Sequence, residues 1–114
     1  MENLDLGGNY MVEKIDAKQF DELLKGDKPV VCDFFANWCG PCKMLAPVMD
    51  DVSETFKDKA VFVKVDIDEN MELAARYGIM SIPLVSVFEN GTEKAKTLGY
   101  MSKSEANEFL KENL

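Results

Sequence analysis

The spacing of apolar residues changes several times along this chain, and each change marks an element. Residues 1–9 read as a flexible tail, and residues 10–15 (YMVEKI) as a short strand. Asp16 then has the character of a helix N-cap. Phe20, Leu23 and Leu24 follow at helical spacing until Gly26 stops the run. Residues 27–29 form a turn. Residues 30–35 (VVCDFF) are nearly all apolar, with β-branched and aromatic side chains, the mark of a central strand covered on both faces. Helical spacing returns over residues 41–56. Leu45, Val48, Met49, Val52 and Phe56 form a stripe there, while Asp50, Asp51, Glu54 and Lys57 fall on other faces. Pro41 suits the first turn, where a missing N–H costs nothing. Pro47 lies inside the helix, where it removes a hydrogen bond and predicts a kink. Residues 60–67 (AVFVKVDI) predict a second central strand, and residues 70–77 a short helix closed by Gly78. Residues 84–89 and 92–98 flank Asn90-Gly91, a strong hairpin signal. Residues 102–113 form a closing helix with Ala106, Phe109 and Leu110 as its apolar face.

The order is therefore β-α-β-α-β-α-β-β-α. Strands separated by helices are expected to be parallel with right-handed crossovers, and the last two to form an antiparallel hairpin. The predicted fold class is α/β, a central mixed β-sheet flanked by helices on both faces. A chain of 114 residues suits one domain, here residues 10–114 after the tail.

Composition narrows the function classes. The 46% hydrophobic content is enough for a real core. With 13 basic and 21 acidic residues the net charge is −8, which argues against nucleic acid and against an anionic membrane surface as partners. Residues 1–8 have no basic start and no apolar stretch, so no targeting signal is expected. The most apolar window, residues 79–88, is too short to span a bilayer. The 3 cysteines do not make a disulfide scaffold, so a reducing, cytoplasmic setting is expected.

The candidate chemistry lies in residues 38–43 (WCGPCK). Helix register separates the two thiols. Cys42 falls on the buried stripe, three residues before Leu45, whereas Cys39 precedes the first turn at the cap position. Backbone N–H groups and the positive end of the helix dipole favour a thiolate there over a thiol. As a redox pair, Cys39 would be the exposed nucleophile and Cys42 the shielded partner that closes the disulfide. Two other readings remain. Inert neighbouring thiols are one, though the placement at a helix start counts against them. A zinc site is the other. It needs four ligands, and the chain has no histidine and only Cys32 as a further thiolate, in the middle of an apolar strand. Nearby, Asp33 is a carboxylate with Val31 and Phe35 as same-face neighbours, and burial is expected to raise its proton affinity.

By these residues the chain resembles the thioredoxin family. Residues 33–43 (DFFANWCGPCK) match the family's active-site segment, Ile82-Pro83 its proline, FENG (88–91) its hairpin, and Gly99 the glycine before its last helix. The resemblance runs over residues 12–114. It implies a thioredoxin fold and a general protein-disulfide reductase that works through a redox-active Cys39–Cys42 disulfide. It implies that Asp33 exchanges protons with Cys42 and that Lys64 lies near that acid, so an Asp33–Lys64 pairing is expected. It implies a cis peptide bond at Pro83, with Ile82 offering backbone groups to an extended client. Trp38, Gly40, Pro41, Pro83 and Gly99 would line the client site, with Met80 and Ile79 adding apolar contact. Gly40-Pro41 between the cysteines resembles the reductant branch of the family. No bound cofactor and no metal are expected. The implied partners are disulfide-containing client proteins and an NADPH-dependent flavin enzyme, thioredoxin reductase, which recharges a monomer. A binding module on the same fold, without turnover, is the alternative from another class. Three residues depart from the family pattern: Phe35 where Trp is common, Leu84 where Thr is usual, and Cys32, read as a buried hydrophobe.

Overall fold

The computed structural model describes residues 12–114. The predicted tail lies outside them, as do the first two residues of the strand expected at 10–15. The elements are β1 (Glu13–Lys14), α1 (Ala17–Leu24), β2 (Val30–Phe35), α2 (Gly40–Thr55), β3 (Val61–Asp66), α3 (Met71–Arg76), β4 (Leu84–Glu89), β5 (Thr92–Leu98) and α4 (Lys103–Asn113). Their order agrees with the sequence pattern. β1 is shorter than the strand expected at 10–15, with Val12 already outside it, and the other predicted ends shift by only a residue or so.

Local chemistry accounts for the boundaries. Asp16 caps α1 with a capping box: its carboxylate accepts the Gln19 N–H at 2.9 Å, and the Gln19 side chain accepts the Asp16 N–H at 2.9 Å. Ser102 and Glu105 repeat the device at α4. Asn70 was expected to start its helix, but its side chain does not cap α3. It accepts the Ala17 N–H at 2.9 Å and donates to the Asp66 carbonyl at 3.1 Å, and so ties the start of α1 to the loop after β3. Helix α2 continues through Pro47 as one element. In the hairpin, Asn90 (φ 55°) and Gly91 (φ 79°) both adopt the left-handed region that a tight two-residue turn requires.

The sheet order is β1-β3-β2-β4-β5. β3 is parallel to both β1 and β2, while β4 is antiparallel to β2 and to β5. A register shift between Val87 and Phe88 marks a bulge in the hairpin. β2 is central, and because side chains alternate along a strand it feeds two cores. Val31 and Val85 pack with Leu45, Met49 and Val52 of α2 and with Ala106 and Leu110 of α4. Val30, Cys32 and Phe34 face the other way, toward Phe20 of α1 and Leu73 of α3. That second core is largely aromatic. The Phe20 ring meets Phe88 edge-on at 5.2 Å and Tyr77 at 5.9 Å. Asp33 shares the face of Val31, so the sheet presents it toward α2. Cys32 is presented to the opposite core, away from the cysteine pair.

Candidate active site

The α2 helix begins where β2 ends, and the cysteines sit at that junction. Cys39 is the N-cap residue, with extended backbone, and its sulfur accepts the Cys42 N–H at 3.2 Å. Pro41 occupies the first turn, as its fixed φ allows. Cys39 and Cys42 are joined by a disulfide, with their Cα atoms 5.2 Å apart. The register argument predicts an exposed Cys39, and the structure corrects this. In the disulfide, Cys39 is 3% exposed and Cys42 4%. The Cys39 sulfur lies 3.9 Å from the Ile82 carbonyl oxygen. What separates the two cysteines is their surroundings. Trp38, Gly40 and Pro41 are exposed around Cys39, whereas Cys42 opens the buried stripe of α2.

The Ile82–Pro83 peptide bond is cis. Ile82 is half-buried and Pro83 buried. The Gly99 N–H donates to the Pro83 carbonyl at 2.8 Å, which brings the end of β5 against this loop. Gly99 has φ 97°, a conformation that L side chains rarely adopt. Adjacent residues in the loop behave differently. Met80 is 94% exposed, while Ile79 is half-buried and packs against the α1–α3 core. Leu84 is also a core residue, seated opposite Phe34 and Leu98. Trp38 is 70% exposed, and its indole N–H donates to the Asp68 carboxylate at 2.9 Å. Sequence reasoning missed Asp68. It lies 30 residues from Trp38 in the chain, with no periodic signal to link them.

Asp33 is buried, and among the described residues its Oδ1 has no hydrogen-bond partner. Burial pushes its carboxyl up to about 7, against a downward pull from Lys64 and an upward push from Asp50. Lys64 stands directly opposite Asp33 in the β2–β3 register. The expected pairing is thus one of position: among the described residues, no ion pair within 4 Å joins Lys64 to any carboxylate. Its ammonium lies 5.6 Å from the centre of the Phe35 ring instead. Burial raises the Cys32 thiol well above the usual range, which keeps it protonated and inert. Among the described residues no group of three or more His, Cys, Asp or Glu side chains could hold a metal ion, and no helix is long and apolar enough to cross a membrane.

The family model described as Thioredoxin matches residues 11–112. A thioredoxin of Pseudomonas aeruginosa is 40% identical over 105 residues, covering 92% of this chain and 97% of that protein. One from Mycoplasmoides gallisepticum is 46% identical over 93 residues, covering 82% of this chain and 92% of its own. A solved structure of Plasmodium falciparum thioredoxin superposes with a TM-score of 0.83 at 35% identity, covering 90% of this chain and all of that one. Matches of this extent, with a disulfide at the active-site position, mean that the chain belongs to the thioredoxin family of thiol–disulfide oxidoreductases that reduce protein disulfides.

Proposed function

We propose that this chain is a general protein-disulfide reductant in which Cys39 attacks and Cys42 resolves. In the reduced protein the Cys39 thiolate attacks one sulfur of a client disulfide. A mixed disulfide forms and the first client thiolate leaves. Asp33 takes the proton of Cys42, and the Cys42 thiolate attacks the Cys39 sulfur. The second client thiolate leaves, and the chain holds the Cys39–Cys42 disulfide. Two electrons have passed to the client. The observation that carries this reading is Asp33, a buried acid with an unpartnered oxygen, titrating near neutrality on the sheet face that α2 covers. A group with that proton affinity can both take and return a proton at physiological pH.

Client binding on this reading uses Trp38, Gly40, Pro41, Ile82, Pro83 and Gly99. Extended client backbone pairs with Ile82, as in strand addition. Lys64 supports the proton transfer by its charge. The oxidised protein is returned to the dithiol by an NADPH-dependent flavin enzyme, thioredoxin reductase, in the cytoplasm, and it works as a monomer with no cofactor of its own. Reduction of insulin disulfides, coupled to NADPH through a thioredoxin reductase, tests this directly. Turnover by the wild type and its loss in Cys39→Ser are expected. Absence of wild-type turnover would refute the reading and favour a binding module.

A further inference from the structure

Lys64 differs from the other lysines whose contacts are described. Lys14, Lys25, Lys57 and Lys94 each touch a carboxylate within 3.1 Å at the surface. Lys64 is half-buried, reaches no carboxylate within 4 Å among the described residues, and places its ammonium 5.6 Å from the centre of the Phe35 ring. The strand register explains that contact. Lys64 of β3 stands opposite Asp33 of β2, and Phe35 lies two residues further along β2, on the same face. Phe35 is therefore the diagonal neighbour of Lys64, within reach of a long side chain. Other charged neighbours are engaged elsewhere. Lys14, opposite Lys64 on β1, is held by Glu69 at 2.9 Å. Asp66, opposite Phe35, accepts the Asp68 N–H at 2.9 Å. Asp33 is the exception: it is buried, with one oxygen that has no partner among the described residues. The charged groups that act on it are Lys64 from β3 and Asp50 from α2. The α2 cysteines do not titrate while joined, and Val85 of β4 and Ala106 and Leu110 of α4 bring apolar surface to that core.

We propose that Phe35 is a positioning residue for proton transfer at the disulfide: the face of its ring holds the Lys64 ammonium off Asp33 while that acid carries the proton. A cation over an aromatic face is attracted by the ring's electron-rich surface. A neutral Asp33 attracts the ammonium weakly, and the ring keeps it. An ionised Asp33 draws the ammonium in and must take it from the ring. The ring contact belongs to the protonated state and is given up on ionisation, so it favours the protonated acid. An aliphatic side chain of similar bulk fills the same space but offers no such face. Phe35 thereby keeps a lysine opposite the acid without letting the two close into an ion pair, which would hold the carboxyl ionised and unable to take a proton from Cys42.

The inference rests on Asp33 as the proton carrier, and the test separates the two. In the wild type, below the Asp33 midpoint, the ring current of Phe35 is expected to shift the terminal methylene protons of Lys64 upfield, and to release them as Asp33 ionises. Carbon-13 NMR of the Asp33 carboxyl gives its midpoint in the oxidised protein, independent of any catalysis. Phe35→Leu is expected to lower that midpoint by about half a pH unit. Phe35→Trp keeps an aromatic face and is expected to leave the midpoint at least as high as in the wild type. In a Lys64→Met background Phe35→Leu is expected to have no effect on it. Lys64 protons without a ring-current shift, an unchanged or raised midpoint in Phe35→Leu, or the same fall in the Lys64→Met background would each overturn the proposal. The first of these needs no variant, so a Phe35→Leu protein that fails to fold leaves the proposal open to refutation. The pH profile of insulin reduction, measured in parallel, is expected to move toward acid in Phe35→Leu. If Asp33→Asn leaves that profile unchanged, the proton role of Asp33 fails, while the NMR midpoints still decide the role of Phe35.

Discussion

Replacing Asp33 by Asn is expected to change how stability depends on pH, and the size follows from burial. The carboxyl titrates at about 7 in the folded protein against an ordinary value of 3.8. Folding therefore favours the protonated form. The stability this provides is fully present below pH 3.8 and is lost as pH rises through about 7. A difference of about 3 pH units corresponds to about 4 kcal/mol of lost stability by pH 8, and to about 1.7 kcal/mol at pH 5. Asn cannot ionise, so the variant escapes this loss. Its own offset, a polar group still lacking a partner, costs about 1–3 kcal/mol but is the same at every pH. Urea unfolding of both oxidised proteins from pH 4 to pH 8 isolates the term, because the other surface carboxylates titrate alike in the two and cancel. Cys32 stays protonated across that range, because burial raises its thiol. The stability of Asp33→Asn relative to wild type should climb by about 4 kcal/mol between pH 4 and pH 8. A difference that stays flat to within about 1 kcal/mol would mean that ionised Asp33 is stabilised in the fold, and the proposed proton role would lose its basis.

Three further changes probe other parts of the argument. Cys42→Ser should trap clients as mixed disulfides on Cys39, seen as bands cleared by reductant on a non-reducing gel; equal trapping by Cys39→Ser would contradict the order of attack. Gly99→Ala meets no neighbouring atom but must hold φ 97°, so denaturant unfolding should show a loss of about 1–3 kcal/mol, and unchanged stability would show that the backbone there relaxes freely. Ser102→Ala removes the cap of α4 and should cost about 1 kcal/mol in the same assay, with insulin reduction unaffected.

The elements were legible because their signals are local. The continuous apolar run of a buried strand, the stripe from Leu45 to Val52, the Asp16 cap and the Asn90-Gly91 turn each depend on a few consecutive residues. The cysteine pair was legible for the same reason, since three residues of helix separate a cap from a buried stripe. What the sequence withheld depends on where distant segments meet. Asp68 reaches Trp38 from a loop 30 residues away. Ile79 and Met80 are neighbours with opposite fates, because only the packing of α3 decides which one the core receives. Cys39 reads as exposed from register alone, yet in the disulfide it is buried near the Ile82 carbonyl.

Asp50 is the sharpest case. By spacing it belongs with Asp51, Glu54 and Lys57 as part of a solvated helix face, and nothing in the sequence separates it from Asp51. The fold does, by laying α2 over the sheet so that Asp50 is half-buried in the field of Lys64 while Asp51 remains in water. Two adjacent acids of equal charge then differ in what they can do. In water each would be screened over about a Debye length, whereas at the edge of an apolar core the same charge acts on a buried neighbour with little screening.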